Sequence, residues 1–144
     1  MKSREIKYQQ MEEDDISQMA ISEPTVFLEP QMVFGMHSFE KLNQILGFNQ
    51  AEWSEILHFS PRTLQRYLKD GNGFDGLQAE LLHHINRLAE HGLTQFTSGK
   101  ALAQWLRTEK VVLGHHLGFN ALKSITGVKM LREELGRMAE GVYI

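Results

Sequence analysis

Residues 50–70 read QAEWSEILHFSPRTLQRYLKD, and this stretch decides the fold class. Trp53 and Leu57 recur at helical spacing and predict a short first helix. Ser60 followed by Pro61 is typical of the start of a second helix, because serine can cap a helix and proline is tolerated at its first position. A short helix, a tight turn and a capped second helix together predict a helix-turn-helix.

The predicted second helix has an apolar face and a polar face. Leu64, Tyr67 and Leu68 are expected to face the core. The polar face could enter a major groove, because arginine can read guanine, glutamine can read adenine, and lysine, serine or threonine can hold phosphates. The alternative interpretation, which the residues leave open, is that these are solvated charges on a packed helix. We expect DNA contacts from Ser60, Arg62, Thr63, Gln65, Arg66 and Lys69.

Helical spacing extends in both directions from this stretch. Upstream, Ser38 predicts the cap of a helix that stops at Gly47. Downstream, a helix is predicted from about Leu77 to Ala89, and Ser98 can cap another one. The residues that we expect these three helices to bury are Leu42, Ile45, Leu46, Leu77, Leu81, Leu82, Ile85, Leu88, Leu102, Trp105 and Leu106.

The last part of the chain is predicted to be helical as well. Segment 111–119, VVLGHHLGF, is expected to be a turn with two glycines, followed by a short helix around residues 121–125. Since no segment alternates strongly enough to predict a strand, we expect an all-α fold. After Thr126-Gly127, a last helix would align four apolar residues on one face: Val128, Leu131, Leu135 and Met138.

Composition divides the 144 residues into three predicted parts. Residues 1–37 are polar and acidic and contain two prolines, which predicts a partly extended arm. Residues 38–93 are predicted to form a helix-turn-helix domain for DNA binding, and residues 94–144 a small helical domain. From residue 96 onward the chain has seven basic and four acidic side chains, whereas the rest is net acidic. Because no part is strongly basic, any DNA contact must come from a local patch.

Several function classes lack support in the composition. The chain has no cysteine, no secretory signal at its start and no apolar run that could span a bilayer, so we expect a cytoplasmic protein. The seven histidines do not combine with a carboxylate at metal-ligand spacing, so we expect neither a metal nor a cofactor. No glycine-flanked nucleophile is found, so we do not expect an enzyme.

Two groups of residues carry a resemblance to a known family. Residues 60–71, SPRTLQRYLKDG, follow the pattern of its first part. The toxin-binding part is matched in order and approximate spacing by Phe96, Ala101, Trp105-Leu106, Leu113-Gly114, Leu122, Thr126-Gly127, Leu131, Leu135-Gly136-Arg137 and Gly141-Val142-Tyr143. Over about residues 39–144 the chain thus resembles the Xre-type antitoxins of the RES–Xre toxin–antitoxin class, also called the Xre/MbcA/ParS group. It departs from them at Gly118-Phe119, where a proline-leucine pair is common, and at Met138-Ala139.

The resemblance implies an antitoxin that dimerises through its helix-turn-helix part and clasps a RES-domain toxin with its C-terminal part. Toxins of that class consume NAD⁺, and the antitoxin blocks access to their active site. The residues suit this role, because Tyr143 offers a rigid ring and basic side chains would attract an acidic partner. The alternative for the tail is that it packs back on its own domain. We expect toxin contacts from Trp105, Lys129, Arg132, Arg137, Gly141, Val142, Tyr143 and Ile144.

Two functional hypotheses remain. The first is an antitoxin that neutralises a RES-domain toxin and also binds its own operator DNA as a homodimer. The second is a helix-turn-helix transcription regulator whose C-terminal domain only oligomerises. A neighbouring gene of RES type would favour the first.

Overall fold

The computed structural model describes residues 32–141 of the chain. Contacts divide the chain into two units, Met1–Val33 and Phe34–Ile144. Most of the predicted acidic arm lies outside the described residues, as do Val142, Tyr143 and Ile144. The predicted boundary between residues 93 and 94 falls inside the second unit.

Helices dominate residues 32–141, which confirms the predicted helical class in its main feature. The elements in order are β1 Val33–Phe34, α1 Met36–Leu46, α2 Gln50–Leu57, α3 Pro61–Asp70, β2 Phe74–Asp75, α4 Gly76–Gly92, α5 Gly99–Arg107, β3 Lys110–Val112, β4 His115–Leu117, a 3-10 helix Phe119–Lys123 and α6 Ile125–Ala139. The strands form two two-stranded sheets, one of β1 and β2 and one of β3 and β4. Among these described helices, none has both the length and the apolar character needed to cross a bilayer.

The ends of α2 and α3 are fixed by local hydrogen bonds. Asn49 and Glu52 form a capping box at the start of α2: the Glu52 N–H donates to the Asn49 side chain at 2.8 Å, and the Asn49 N–H to the Glu52 side chain at 3.0 Å. His58 ends α2 in the left-handed region, with φ 59°. Ser60 then caps α3 by accepting from the Thr63 N–H at 3.1 Å, so the predicted helix start at Ser60-Pro61 is confirmed.

An aromatic cluster joins α1 to α2. The Trp53 ring is buried and lies 4.9 Å from the Phe39 ring and 5.4 Å from the Phe48 ring, centroid to centroid. Its indole N–H donates to Asn43 Oδ1 at 2.8 Å, and the Phe48 N–H donates to the same oxygen at 3.0 Å. The one polar group of the tryptophan is therefore satisfied where its ring is buried.

Helices from both sides of residue 93 pack against each other. α4 makes its main contacts with α6, and α1 packs on α5. Gly99 allows the second contact, because a Cβ there would collide with the Ile45 carbonyl. Gly127 lies equally close to the Ala121 carbonyl, so that α6 begins directly against the 3-10 helix.

Three expectations were wrong, two about helix boundaries and one about the burial of a side chain. The cap of α1 is Gly35, because the Phe39 N–H already donates to the Gly35 carbonyl at 3.0 Å and Ser38 lies inside the helix. Thr126-Gly127 does not separate two helices: it belongs to the first turn of α6, and Ser124 caps that helix. Leu77 is 75% exposed, because it lies in the first turn of α4, before the stripe that faces the core begins at Ala79.

The predicted glycine turn of residues 111–119 was also wrong, since it contains a β-hairpin. β3 and β4 pair antiparallel, with Val111 opposite His116 and Val112 opposite His115. Leu113 and Gly114 connect them with φ values of 52° and 83°. Two positive φ values in a row are typical of the tight turn whose twist matches a two-residue hairpin.

Candidate binding surfaces

The outward side of α3 presents a row of long polar side chains. Arg62, Gln65, Arg66 and Lys69 are exposed, whereas Leu64 on the opposite side is completely buried. No salt bridge to the three cations of this row is found within residues 32–141. Arginine and glutamine in such a row can make paired hydrogen bonds to base edges. Four of the six residues predicted to contact DNA therefore share one open surface.

The other two of those six residues hold the helix start. The Ser60 hydroxyl accepts from the Thr63 N–H at 3.1 Å and donates to Thr63 Oγ1 at 3.0 Å. Thr63 is half-buried. The pair fixes the direction in which α3 leaves the turn, and Ser60 remains at the edge of the exposed row.

The turn before α3 is attached to the C-terminal part of the fold. His58 Nε2 lies 2.9 Å from the Lys123 carbonyl oxygen, which belongs to the 3-10 helix. Behind the turn, the Gln78 amide donates to the Leu57 carbonyl at 3.1 Å. On the other side of α3, the Tyr67 ring stacks on Phe59 at 4.8 Å. These contacts set the position of α3 relative to α2, α4 and the 3-10 helix.

Trp105, which was predicted to contact a toxin, contacts other residues of its own fold. It is half-buried, its ring lies 5.7 Å from Phe96, and the Lys110 ammonium lies 4.3 Å above the ring centroid. The same ammonium donates to the carbonyls of Trp105 and Thr108 at 2.8 and 2.6 Å, which satisfies the end of α5. Burial lowers the pKa of Lys110, and Glu109 and Glu134 oppose that shift. Trp105 and Lys110 thus anchor the hairpin on α5.

Arg137 is also engaged inside the fold. Its guanidinium donates twice to Glu134 Oε1, at 2.9 Å from Nη2 and 3.2 Å from Nε. Glu134 is only 7% exposed, so the arginine neutralises a carboxylate that lies in the packed face of α6. Gly141, just after α6, has φ 74°. Of the predicted toxin contacts, Arg137 and Trp105 have internal partners, and Val142, Tyr143 and Ile144 lie outside the described residues.

Lys129 and Arg132, the remaining predicted toxin contacts, lie on α6 where this helix packs beside α4. His91, Lys129, Arg132 and Glu133 line one surface depression of about 300 Å³. His84 of α4 is close enough to be affected: burial lowers its pKa most, and Arg87, Lys129 and Arg132 lower it further. The structure thus brings α4 into a surface that the sequence analysis placed on α6 alone.

The sequence analysis missed the α4 part of this surface, although a signal was present. His84, Arg87 and His91 follow each other at intervals of three and four residues, which places basic groups on one side of a helix. Interpreting the histidines only as metal ligands ignores the arginine between them. Residues 32–141 contain no group of three or more histidine, cysteine or acidic side chains that could hold a metal ion.

Another basic residue ties two helices together. Arg107, at the end of α5, donates to both carboxylate oxygens of Glu52, at 2.9 and 3.0 Å. The hydrogen bond from Arg107 is the largest cause that lowers the pKa of Glu52. Arg107 also lies 4.9 Å above the Phe48 ring. This cation stabilises the contact of α5 with the start of α2.

The hairpin carries apolar side chains whose exposure the sequence analysis did not predict. Val111 is 64% exposed and Leu113 77% exposed. A non-glycine residue with positive φ is uncommon, and leucine is a costly choice at this position. The pattern of two valines, Leu113-Gly114 and two histidines resembles two short strands around a turn, which is the signal that could have predicted the hairpin.

No model of a known protein family matches the sequence, and a search of curated proteins finds no match either.

Proposed function

We propose that this protein is a type II antitoxin with two binding surfaces, one for operator DNA and one for a RES-domain toxin. The observation that carries the proposal is the open row on α3: exposed arginines, a glutamine and a lysine project from a capped helix behind a short, fixed turn. Such a helix-turn-helix arrangement suits the major groove. The resemblance of residues 39–144 to Xre-type antitoxins adds the toxin as the second partner.

DNA binding by this row requires a dimer. One helix of ten residues reads only a few base pairs, and the described unit lacks the strong positive charge that supports non-specific binding. Two copies with their α3 helices about 34 Å apart would read successive major grooves of a palindrome. We therefore propose a cytoplasmic homodimer as the DNA-binding form.

Toxin binding is supported by the basic side chains of α6 and by the segment after it. Lys129 and Arg132 have no salt bridge within residues 32–141. Gly141 has the positive φ that redirects a chain after a helix. A tail that starts there, with Tyr143 as its aromatic group, is proposed to enter the active site of the toxin and exclude NAD⁺.

Co-expression with the adjacent gene tests the proposal. The protein should form a stable complex with the product of that gene, and NAD⁺ should be lost only when the antitoxin is left out. Deleting residues 141–144 should abolish neutralisation and leave DNA binding unchanged. The matched control is Arg62→Ala with Arg66→Ala, which should remove DNA binding and leave neutralisation unchanged. A tail deletion that still protects cells would contradict the proposed plug.

The second candidate, a transcription regulator whose C-terminal part only oligomerises, has one observation in its favour. An apolar groove of about 300 Å³ lies between α2, the start of α4 and the start of α6, and exposed Leu77 forms part of its wall with Leu57, Leu81 and Ile125. A second copy could cover such a surface. Under this alternative Leu77→Glu should give monomers that no longer bind DNA, and no NAD⁺-consuming partner should be found.

A further inference from the structure

The basic side chains of the described residues fall into two groups. Four have an acidic or carbonyl partner at hydrogen-bond or salt-bridge distance: Arg107, Lys110, Lys123 and Arg137. The others have no such partner within residues 32–141: Lys41, Arg62, Arg66, Lys69, Arg87, Lys100, Lys129 and Arg132. Three of this second group are the cations of the α3 row, and three more lie together on α4 and α6.

These three cations lie around His84 in the crease where α4 packs on α6. Arg87 lies on α4, and Lys129 and Arg132 lie on α6, the helix that packs most extensively against α4. His91 lines the same depression as Lys129 and Arg132, and His84 experiences all three cations as like charges. The three cations lie close enough to His84 to disfavour its charged form, and His91 lies beside two of them, so this region carries positive charge that a bound anion would neutralise.

Two nitrogens in this cluster lack hydrogen-bond partners. Within the described part of the chain, Arg132 Nε and His84 Nδ1 are both shielded from solvent and accept or donate no hydrogen bond. An unsatisfied buried polar atom is unfavourable, so such atoms are rare in folded proteins. Both side chains therefore have hydrogen-bonding capacity that no described residue uses.

We propose that the crease formed by His84, Arg87, His91, Lys129 and Arg132 binds carboxylate side chains from an acidic segment of a protein partner. This rests on the proposed function only for the identity of that partner, which would be the toxin. It extends the partner surface from α6 onto α4, and so into the part of the chain that the sequence assigned to DNA binding.

Charge favours carboxylates over the phosphates of a nucleic acid. Glu133 lines the depression together with the cations, and Glu80 lies near enough to affect His84. A phosphate backbone would meet these acids as like charges, whereas separate carboxylate side chains can be placed between them. Arginine binds carboxylates through two parallel hydrogen bonds, a geometry that two guanidinium groups in the crease can supply. By contrast, the exposed α3 row of Arg62, Gln65, Arg66 and Lys69 contains no acid.

Binding of a labelled peptide of about ten glutamates to the full chain tests the proposal. Fluorescence anisotropy at low ionic strength would compare wild type with Arg87→Glu and with Lys129→Glu/Arg132→Glu. Each change should weaken peptide binding at least about tenfold, because charge reversal replaces attraction by repulsion. Lys100→Glu, at an exposed position of α5, and Arg62→Glu/Arg66→Glu, on α3, reverse equal numbers of charges elsewhere and should change the affinity less than about twofold.

Amide chemical shifts of the labelled wild-type protein add a test without mutation. The peptide should shift residues of α4 and α6 around the crease, and an equally charged DNA duplex should shift α3. Equal weakening in all variants, or shifts spread over the surface, would show that only net charge matters and would overturn the proposal. A duplex that shifts the crease in preference to α3 would assign it to nucleic acid and would also overturn it. Since no toxin is used, failure here is distinct from failure of the antitoxin proposal, which depends on the adjacent gene product.

Discussion

The outward row of α3 and the basic residues after residue 96 look alike in the sequence, but the fold uses them differently. All three cations on α3 are exposed and lack salt bridges within residues 32–141. After residue 96, Arg107 and Arg137 bind carboxylates, and Lys110 binds backbone carbonyls. Spacing in the sequence therefore identifies an exposed row of cations, but it does not show which cations have partners inside the fold.

The difference has a physical cause. On α3 the polar side faces solvent and no described element packs over it, so helical periodicity alone decides exposure. Among the later cations, Lys110 lies at the end of α5, and Arg107 meets Glu52, which is 55 positions earlier in the chain. Such partners depend on tertiary contacts.

The largest expected effect comes from the α3 row. Arg62→Ala with Arg66→Ala should weaken operator binding about 100-fold or more, because each arginine that reads a base contributes about 1–3 kcal/mol. The free energy of unfolding should change by less than about 0.5 kcal/mol, since both side chains are exposed and unpaired. Electrophoretic mobility shifts and urea denaturation measure the two quantities. A clear loss of stability would break the distinction between the two regions.

Arg137 should show the opposite behaviour. Arg137→Ala leaves the buried carboxylate of Glu134 without its two hydrogen bonds from the guanidinium, and should lower the free energy of unfolding by about 2 kcal/mol. Lys129→Ala, on the same helix but exposed, is the matched control and should have almost no effect on stability. Equal urea midpoints for both variants would show that Arg137 is not a structural residue.

An apolar side chain in the turn of the hairpin extends the comparison. Leu113→Asn should raise the free energy of unfolding by about 1 kcal/mol, because asparagine tolerates positive φ better than leucine. Little burial is lost, since Leu113 is 77% exposed. Val111→Thr, also exposed but outside the turn, should give no gain. If Leu113→Asn is destabilising, the leucine makes contacts that its exposure does not reveal.

The smallest effect is the pH dependence of the pair formed by Glu52 and Arg107. Arg107 lowers the pKa of Glu52, so the pair stabilises the fold above about pH 4.5 and the stabilisation disappears as the pH falls through the lower pKa of the folded state. Glu52→Gln retains a residue type that can complete the capping box but removes the charge. Its deficit in stability at neutral pH, below about 1 kcal/mol, should shrink under acid conditions.

Glu40→Gln is the control for that experiment, since Glu40 is exposed and forms no salt bridge within residues 32–141. Its difference from wild type should not follow the pattern of Glu52→Gln. A deficit of Glu52→Gln that stays constant from neutral to acid pH would contradict a charge-based contribution.

Much of the fold could be predicted from local rules. Ser60-Pro61 and Ser98 gave correct helix starts, because a serine cap depends only on the next three residues. Trp53, Leu64 and Leu82 were correctly expected in the core, since a periodic apolar stripe has to be buried. The expected burial of Leu77 was wrong, because an apolar stripe can continue in the sequence into a first turn whose side chain lies on an open groove.

The candidate sites were predictable to a smaller extent. The open row on α3 followed from spacing, and Lys129 is exposed as well, whereas Arg132 is half-buried. The contact of Lys110 with Trp105 could not be predicted, because it requires the hairpin to be in place, whereas the pair of Glu134 and Arg137, three residues apart on α6, could have been predicted from helical spacing. The α4 side of the crease was missed because its residues are about forty positions from those of α6 in the chain.

The sequence by itself determined the helical class, the capped turn before α3 and the polar row that this helix exposes, since each depends on residues within one or two turns of each other. Only the tertiary structure decided that Glu52 neutralises Arg107, that His58 lies against Lys123 and that α4 and α6 share one basic crease. Those outcomes depend on distances between residues far apart in the chain, and a linear pattern does not contain them.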